Sequence, residues 1–293
     1  MRLSHNYLGQ PKIWLLGSLL GISITCINYP SLAFVPYIFE PNKSDLKSTS
    51  ITLGKTAAQL LHFGQTKEAF RLAKLAVKLN SQDEKLWQIL AETQVRNSMF
   101  KEAIYSLSKA KEINPKNARI WFAEGSLYLQ QKNSKKAILL IKKGLTIESK
   151  NANAYFQLGN ARIMQSELRL ALRAFKNAAT YKPKFWEAIN NQGLVLFEMG
   201  RIKEAIIIWR EVLELKENPE PMLALAAALN QLNQTNEESL NLAKKALAKN
   251  PKYVSSQYQA NQLWGDKLQE ATKELFKEPE LKYVVERALA NSN

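Results

Sequence analysis

Cysteine and histidine are scarce in this chain of 293 residues, which contains one Cys and two His. A single Cys cannot form an intrachain disulfide or a cysteine-based metal cluster, and two His are too few for a three-histidine zinc site. Glycine and proline number only 11 and 10, which excludes collagen-like and Pro/Gly-rich low-complexity chains. Gly-rich phosphate loops, HExxH motifs and paired cysteines are also missing. We therefore expect no metal, no cofactor and no enzymatic activity.

Acidic residues are outnumbered by basic ones, because 41 Lys and Arg stand against 26 Asp and Glu, a net charge of +15. Apolar residues make up 46% of the chain and charged residues 23%, which is close to the average for globular proteins. The chain is long enough for one large domain or two small ones. Its basic charge favours anionic partners, namely a membrane surface, an acidic protein or a nucleic acid.

Residues 1–33 have the pattern of a secretory signal peptide. Two basic residues precede a short apolar run over 13–27, and the segment ends in Ser31-Leu32-Ala33. The apolar run is shorter than the ~20 residues that a bilayer span needs. The alternative is an uncleaved membrane anchor, which the apolar residues over 34–39 would extend. We expect cleavage after Ala33 and export of the mature chain.

The body of the chain repeats with a period of 34 residues. Six units follow one another without a gap over 50–253. The positions within each unit are numbered as places 1 to 34, and Ser50 is place 1 of the first unit. The eighth place is held by small residues, namely Ala57, Ala91, Gly125, Gly159, Gly193 and Ala227. The twentieth place is held by Ala69, Ala103, Ala137, Ala171, Ala205 and Ser239. The spacing predicts two helices per unit, and stacked units bury a continuous core.

This pattern resembles the tetratricopeptide repeat family, whose units carry large, small, Ala, bulky and Pro residues at places 4, 8, 20, 24 and 32. The second unit matches it with Trp87, Ala91, Ala103, Leu107 and Pro115. The resemblance implies an all-α fold, a right-handed superhelical solenoid of helix-turn-helix units. We expect an extended lead-in over 34–49 and capping helices over 254–293, beginning with a seventh first helix over 254–264.

In this family the first helices of the units line a concave groove, with places 2, 5, 9 and 13 facing inward. The resemblance therefore implies a non-catalytic scaffold that holds a protein partner, with amides bonding the backbone of a peptide and aromatic rings covering its side chains. The predicted lining is Lys85, Gln88, Glu92, Arg96, Arg119, Phe122, Ser126, Gln130, Asn153, Phe156, Asn160, Glu187 and Asn190. The alternative for the aromatic residues at place 5 is packing inside the array.

Two further sets of charged residues are notable. One set lies at core places of the repeat, and the other lies on the outer face of the second helices. Glu124 and Arg162 hold core places in neighbouring units, and we expect them to form an ion pair, the alternative being a polar site inside the array. Places 18 and 25 share the outer face of the second helix and are basic at ten of twelve positions. The predicted basic outer stripe comprises Lys135, Lys142, Arg169, Lys176, Lys203 and Arg210. It would face an anionic membrane or an acidic protein, unless it is simply a solvated face.

The overall plan is a signal segment, six units and a cap containing Trp264-Gly265-Asp266-Lys267. It resembles exported and thylakoid-lumen tetratricopeptide proteins of cyanobacteria and plastids. That resemblance implies a scaffold in the periplasm or thylakoid lumen, soluble or membrane-associated, that assists assembly or maintenance of a membrane complex such as a photosynthetic one. One alternative is a membrane-anchored adaptor. Another is a basic nucleic-acid-binding helical repeat protein, although the groove shows no regular code of two or three side chains per unit.

The export signal makes a direct prediction about the mature chain. Because the small residues before Phe34 fit a cleavage site, the native protein should begin at or near Phe34. N-terminal sequencing or intact mass of protein isolated from its own cells measures this. Retention of Met1 would replace the exported form with an anchored one.

Overall fold

The computed structural model describes residues 42–232 and 237–292, and all regular structure in these ranges is helical. The twelve helices of the repeats are α1 (Lys43–His62), α2 (Thr66–Leu79), α3 (Glu84–Arg96), α4 (Phe100–Ile113), α5 (Ala118–Gln130), α6 (Ser134–Ile147), α7 (Ala152–Ile163), α8 (Leu168–Tyr181), α9 (Trp186–Glu198), α10 (Ile202–Leu215), α11 (Pro219–Gln231) and α12 (Glu237–Lys249). They pack as consecutive antiparallel pairs, and each pair packs on the next. The predicted all-α fold of stacked helix pairs is confirmed.

Helix starts and turns recur along the chain because the same local chemistry recurs. The side chains of Asp83, Asn117 and Asn151 cap α3, α5 and α7, each accepting a hydrogen bond from a backbone N–H at 2.8–3.1 Å. The turn inside a pair has a residue of positive φ, and these residues are spaced by 34: Gly64, Ser98, Lys132, Ser166 and Gly200. Glycine adopts this left-handed conformation without strain, so the first and fifth turns carry the residue that suits it.

The beginning of the array differs from the sequence-based expectation. Residues 43–49 were expected to be an extended lead-in, and this is wrong because α1 already begins at Lys43. The reason is a local cap: the Asn42 side chain accepts a hydrogen bond from the backbone N–H of Asp45 at 2.8 Å. The rest of the expected lead-in, residues 34–41, and the expected signal peptide over 1–33 lie outside the described residues.

The two helices of a pair approach closely where a small residue at place 8 meets the side chain at place 24. In the fourth pair Gly159 faces the ring of Phe175, and in the fifth pair Gly193 faces Trp209. A Cβ added to Gly193 would lie 2.5 Å from the Trp209 ring nitrogen, so no larger residue fits there. Phe175 and Trp209 are both fully buried. In these two pairs place 8 is glycine because the side chain at place 24 already fills the space that a larger residue would need.

The first helices lie on the inner side of the array. Contacts between neighbouring first helices, such as α1 with α3 and α5 with α7, are more extensive than any between neighbouring second helices of the described chain. An array whose first helices are closer together than its second helices curves toward the first helices. The inner, concave surface is thus formed by α1, α3, α5, α7, α9 and α11.

The C-terminal region begins differently from a seventh repeat. A short 3-10 helix leads into α13, which spans only Ser256–Asn261 rather than the expected 254–264. Two further helices follow, α14 (Asp266–Leu275) and α15 (Lys282–Ala290). α15 packs against α12, whereas α14 packs against α11 and α9. The chain therefore turns back over the inner surface of its last two repeats.

The close approach in the fourth pair yields a test. Replacing glycine by alanine inside a helix ordinarily stabilises it by up to ~1 kcal/mol. Gly159→Ala should instead destabilise the protein by ~1–3 kcal/mol, because the new methyl group overlaps the Phe175 ring. The measurement is thermal or urea unfolding followed by circular dichroism. In a Phe175→Leu background the same change should cost less, and an equal cost in both backgrounds would contradict this packing.

Candidate peptide-binding groove

An open cavity of about 570 Å³ lies on the inner surface between α3 and α5. Its polar lining consists of groove residues predicted from the sequence: Gln88, Glu92, Arg96, Arg119, Ser126 and Gln130. Its apolar lining consists of Ala91, Val95, Leu107, Ala123 and Leu127. The helical period explains the arrangement, because places 5, 9 and 13 lie about one turn apart along the same face of a first helix. Two neighbouring units thus contribute matching polar rows to one cavity.

The chemistry of this cavity suits the binding of an extended polypeptide. Arg96 and Arg119 are exposed at its rim, and a guanidinium binds a carboxylate through two parallel hydrogen bonds. The amides of Gln88 and Gln130 can donate to and accept from a peptide backbone, while Val95 and Ala123 offer apolar contact. Within residues 42–232 and 237–292 no group of three or more His, Cys, Asp or Glu side chains is placed to hold a metal ion.

The two predicted groove aromatics do not line this cavity. Phe122 is buried, with 8% of its surface exposed, and its ring lies against Gly144 of α6. Phe156 is half-buried, and its ring contacts Phe185 at 5.0 Å and Phe175 at 5.9 Å between centroids. Assigning Phe122 to the groove was wrong because the absence of a side chain at Gly144 lets the ring turn into the core. Both rings pack inside the array, which is the alternative interpretation of the aromatic residues at place 5.

The remaining predicted groove residues fall into two groups. Lys85 and Asn153 are exposed near the starts of α3 and α7. Asn160 is half-buried, and its side-chain oxygen accepts a hydrogen bond from the Asn191 amide at 3.1 Å. Asn190 is buried, with 1% exposed, so it offers nothing to a ligand and its assignment to an open groove was wrong. The physical reason is the C-terminal segment, which covers this part of the inner surface.

The C-terminal segment covers the inner surface of the last two repeats through α14. Leu268 and Leu275 are fully buried and belong to the same core as Leu194 on α9 and Leu223 on α11. The groove places of α11 are occupied by small or apolar residues, including Ala224 and Ala228, which are both fully buried. The protein's own chain therefore covers much of the inner surface of units five and six, and open cavities of about 340 and 610 Å³ remain beside Trp264 and α14.

Glu198, at the end of α9, holds the start of α14. Its carboxylate accepts hydrogen bonds from the backbone N–H groups of Leu268 at 3.0 Å and Lys267 at 3.4 Å. These are unpaired donors at a helix N-terminus, where a carboxylate is favoured. Burial nevertheless raises the pKa of Glu198 above its ordinary range. A Cβ on Gly265 would lie 2.2 Å from the carboxyl carbon of Glu198, so a larger residue directly before α14 would displace that carboxylate.

Glu220, in the first turn of α11, forms a second anchor. Its carboxylate accepts a hydrogen bond from the indole N–H of Trp264 at 3.0 Å and also contacts Asn190 and Tyr253. Burial raises the pKa of Glu220 from its ordinary value of 4.5 to about 7. The sequence analysis missed both carboxylates, because neither Glu198 nor Glu220 stands out from the other acids of the chain by spacing.

The predicted core ion pair between Glu124 and Arg162 does not form. The Glu124 carboxylate pairs instead with the ammonium group of Lys111 on α4 at 2.5 Å. The Lys111 ammonium also lies 4.7 Å from the centre of the Trp121 ring. Arg162 pairs with Glu167, the residue directly before α8. The prediction was wrong because each charge has an opposite charge closer along the chain, and a buried charge takes the nearest one that satisfies it.

All six residues of the predicted basic outer stripe are exposed on second helices. Arg210 on α10 donates two hydrogen bonds to the Glu238 carboxylate, at 2.9 and 3.2 Å, so its charge is compensated. Partner binding by the stripe remains a prediction. No helix in the described part of the chain has the length and apolarity needed to cross a membrane.

Two family models described as tetratricopeptide repeat match the chain, one over residues 118–151 and the other over residues 156–219. The fold is also similar to solved structures. MamA is 22% identical over 59% of this chain and 93% of its own, with a TM-score of 0.53. PilW, a "widely conserved type IV pilus biogenesis factor", is 18% identical over 75% of this chain and 97% of its own, at 0.60. YrrB, "a TPR protein with an unusual peptide-binding site", is 18% identical over 64% and 93%, at 0.51. No curated protein matches the sequence.

The raised pKa of Glu220 predicts how stability depends on pH. The folded state holds the proton more tightly than the unfolded chain, so this group's contribution is full below pH 4.5 and is lost as the pH rises to about 7. Glu220→Gln keeps the acceptor for Trp264 but cannot ionise. It should therefore raise the unfolding free energy at pH 8 by ~1–3 kcal/mol and change it little at pH 4.5.

Thermal unfolding at the two pH values measures this, and Glu214→Gln, an exposed acid on α10, serves as the control. The control should have a small effect at both pH values. A Glu220→Gln effect that is the same at pH 4.5 and pH 8 would contradict a buried carboxylate at this anchor.

Proposed function

We propose that this chain, a tetratricopeptide repeat protein, is a protein-interaction scaffold whose binding site is the cavity between α3 and α5. The observation that carries the proposal is the difference along the inner surface. Units two and three present an open cavity of about 570 Å³ with a polar rim, whereas the chain's own α14 covers much of the inner surface of units five and six. A partner therefore has room on the N-terminal half of the groove.

The lining indicates what kind of segment would bind. Two guanidinium groups, Arg96 and Arg119, stand at the rim, and the single acid among the lining residues is Glu92. This balance favours a segment that carries an acidic side chain. An apolar side chain next to it would reach Val95 and Ala123, and the amides of the rim would bond its backbone. The proposed ligand is thus an extended acidic segment with an apolar residue beside the acid.

We further propose that the protein works outside the cytoplasm, in the assembly or maintenance of a membrane complex in a periplasm or thylakoid lumen. The support is the signal-peptide pattern over 1–33 and the resemblance of the overall plan to exported proteins of the family. PilW, which has a similar fold, is described as a pilus biogenesis factor, so the fold is compatible with an assembly role. Fractionation of the source cells with an antibody against the native chain tests the location.

The groove proposal is tested by selecting peptides from a random displayed library with the full chain and measuring their affinity. Selected peptides should be enriched in Asp or Glu next to an apolar residue. The double variant Arg96→Glu/Arg119→Glu should weaken their binding by about tenfold or more, because it replaces attraction with repulsion at the rim. Fluorescence anisotropy with labelled peptides gives the dissociation constants.

A matched control carries the same change in net charge away from the cavity, at Arg71 on α2 and at Lys252, both exposed. Arg71→Glu/Lys252→Glu should leave the affinity within about twofold of wild type. Equal weakening by both double variants would show that net charge, rather than this cavity, binds the peptides. Peptides without acidic residues would contradict the proposed role of the arginines.

A further inference from the structure

Two of the second helices, α6 and α8, carry only basic residues among their charged side chains. α6 carries Lys135, Lys136, Lys142 and Lys143, and α8 carries Arg169, Arg173 and Lys176. Neither helix contains an acidic residue. The second helices on either side differ, since α4 contains Glu102 and Glu112 and α10 contains Glu204, Glu211 and Glu214. The basic face predicted along the whole array is therefore uninterrupted by acids only on the second helices of units three and four, since α2 contains Glu68 and α12 contains Glu237 and Glu238.

These cations are available to a partner. None of these cations forms a salt bridge with an acid of the described chain. The Lys136 ammonium group lies 4.4 Å from the centre of the Tyr128 ring. The pKa of Glu204 is lowered mainly by Arg201, with a smaller contribution from Lys176. All of them are exposed, because the opposite faces of their helices carry the core residues. The stripe cation Arg210 on α10 differs, since Glu238 already compensates it.

α6 and α8 are linked near their starts and through α7. The Gln165 side-chain amide, two residues before the cap of α8, donates to the hydroxyl of Ser134 at the start of α6, at 2.5 Å. α7 packs against both helices, and the two helices begin exactly one repeat apart. Residues at the same place of the two units therefore face the same side of the array, and each helix of 14 residues is about 20 Å long.

Aliphatic side chains stand among these cations. Leu139 is 68% exposed and lies one helical turn from both Lys135 and Lys142. Leu170 is 45% exposed and lies directly after Arg169. A surface that combines unpaired cations with protruding aliphatic side chains matches the interface of an anionic bilayer, where headgroups attract the cations and the aliphatic groups enter the acyl boundary. An acidic protein surface would match the cations as well, and the polyglutamate experiment below distinguishes it from the bilayer.

We propose that this surface, the α6–α8 patch (Lys135, Leu139, Lys142, Arg169, Arg173 and Lys176), docks the protein on an anionic lipid bilayer. The patch lies on second helices, on the opposite side of the array from the peptide cavity. Membrane docking and peptide capture can therefore take place at the same time. The proposal is independent of the peptide site and of the fate of residues 1–33.

The test is co-sedimentation of the full chain with phosphatidylcholine vesicles that contain or lack phosphatidylglycerol, at low and moderate salt. Wild type should bind the anionic vesicles, lose affinity as salt rises, and bind the neutral vesicles far less. The variant Lys135→Glu/Lys142→Glu/Arg169→Glu/Lys176→Glu should lower the partition coefficient by roughly a thousandfold, from about 1 kcal/mol per cation. The matched control reverses four exposed lysines elsewhere, Lys85, Lys116, Lys252 and Lys282, and should retain most of the binding.

A second pair of variants tests the aliphatic contribution. Leu139→Asn should weaken binding about five- to tenfold without changing its salt dependence. Ile207→Asn, at the same place on α10 and 65% exposed, should have little effect. Circular dichroism verifies that all variants keep the wild-type helix content.

Four results would overturn the proposal. Equal loss in both fourfold variants would show that net charge alone drives binding. Equal binding to neutral vesicles would assign the interaction to another, apolar segment. Absence of binding to anionic vesicles at low salt would remove the membrane as the partner. Patch-dependent binding to polyglutamate without binding to vesicles would identify an acidic protein as the partner instead.

Discussion

The fit between a small residue at place 8 and the side chain at place 24 is the contact on which the rest of the structure depends. As the side chain at place 24 grows from Leu107 to Ile141, Phe175 and Trp209, place 8 changes from alanine to glycine. Each change keeps the two helices of a pair at close distance, and close pairs stack into a continuous core. The inner and outer surfaces of the array both depend on this contact, because the first helices all face inward only when every pair has nearly the same geometry.

The inner surface consists of two regions, one open and one covered by the C-terminal segment. Between α3 and α5 it is open, with arginines and amides at the rim. Over α9 and α11 it is largely covered by α14, which two carboxylates, Glu198 and Glu220, hold in place. The C-terminal segment covers the apolar inner face of the last repeat and shields it from solvent, as a capping unit of a solenoid must. The same segment confines the proposed peptide site to the N-terminal half of the array.

Much of this architecture could be predicted from the sequence, because the repeat places apolar residues at fixed intervals and helix pairing is local. The cavity residues Gln88, Arg119 and Ser126 were found in the same way, since their places face inward in every unit. Phe122 and Asn190 could not be placed correctly, because their burial depends on contacts with Gly144 and with a segment distant in sequence. The partners of Glu124 and Arg162 were missed for a related reason, since periodicity gives the face of a residue but not the reach of its side chain.

The central claim, that the inner surface is covered at one end and open at the other, is tested most directly by hydrogen–deuterium exchange of the full chain. Backbone amides of α9 and α11 should exchange more slowly than those of α3 and α5. Trp264→Ala, which removes the hydrogen bond to Glu220, should speed exchange in α9, α11 and α14 and leave α3 and α5 unchanged. Similar exchange at both ends of the wild-type array, or an effect of Trp264→Ala spread evenly over all repeats, would contradict the claim.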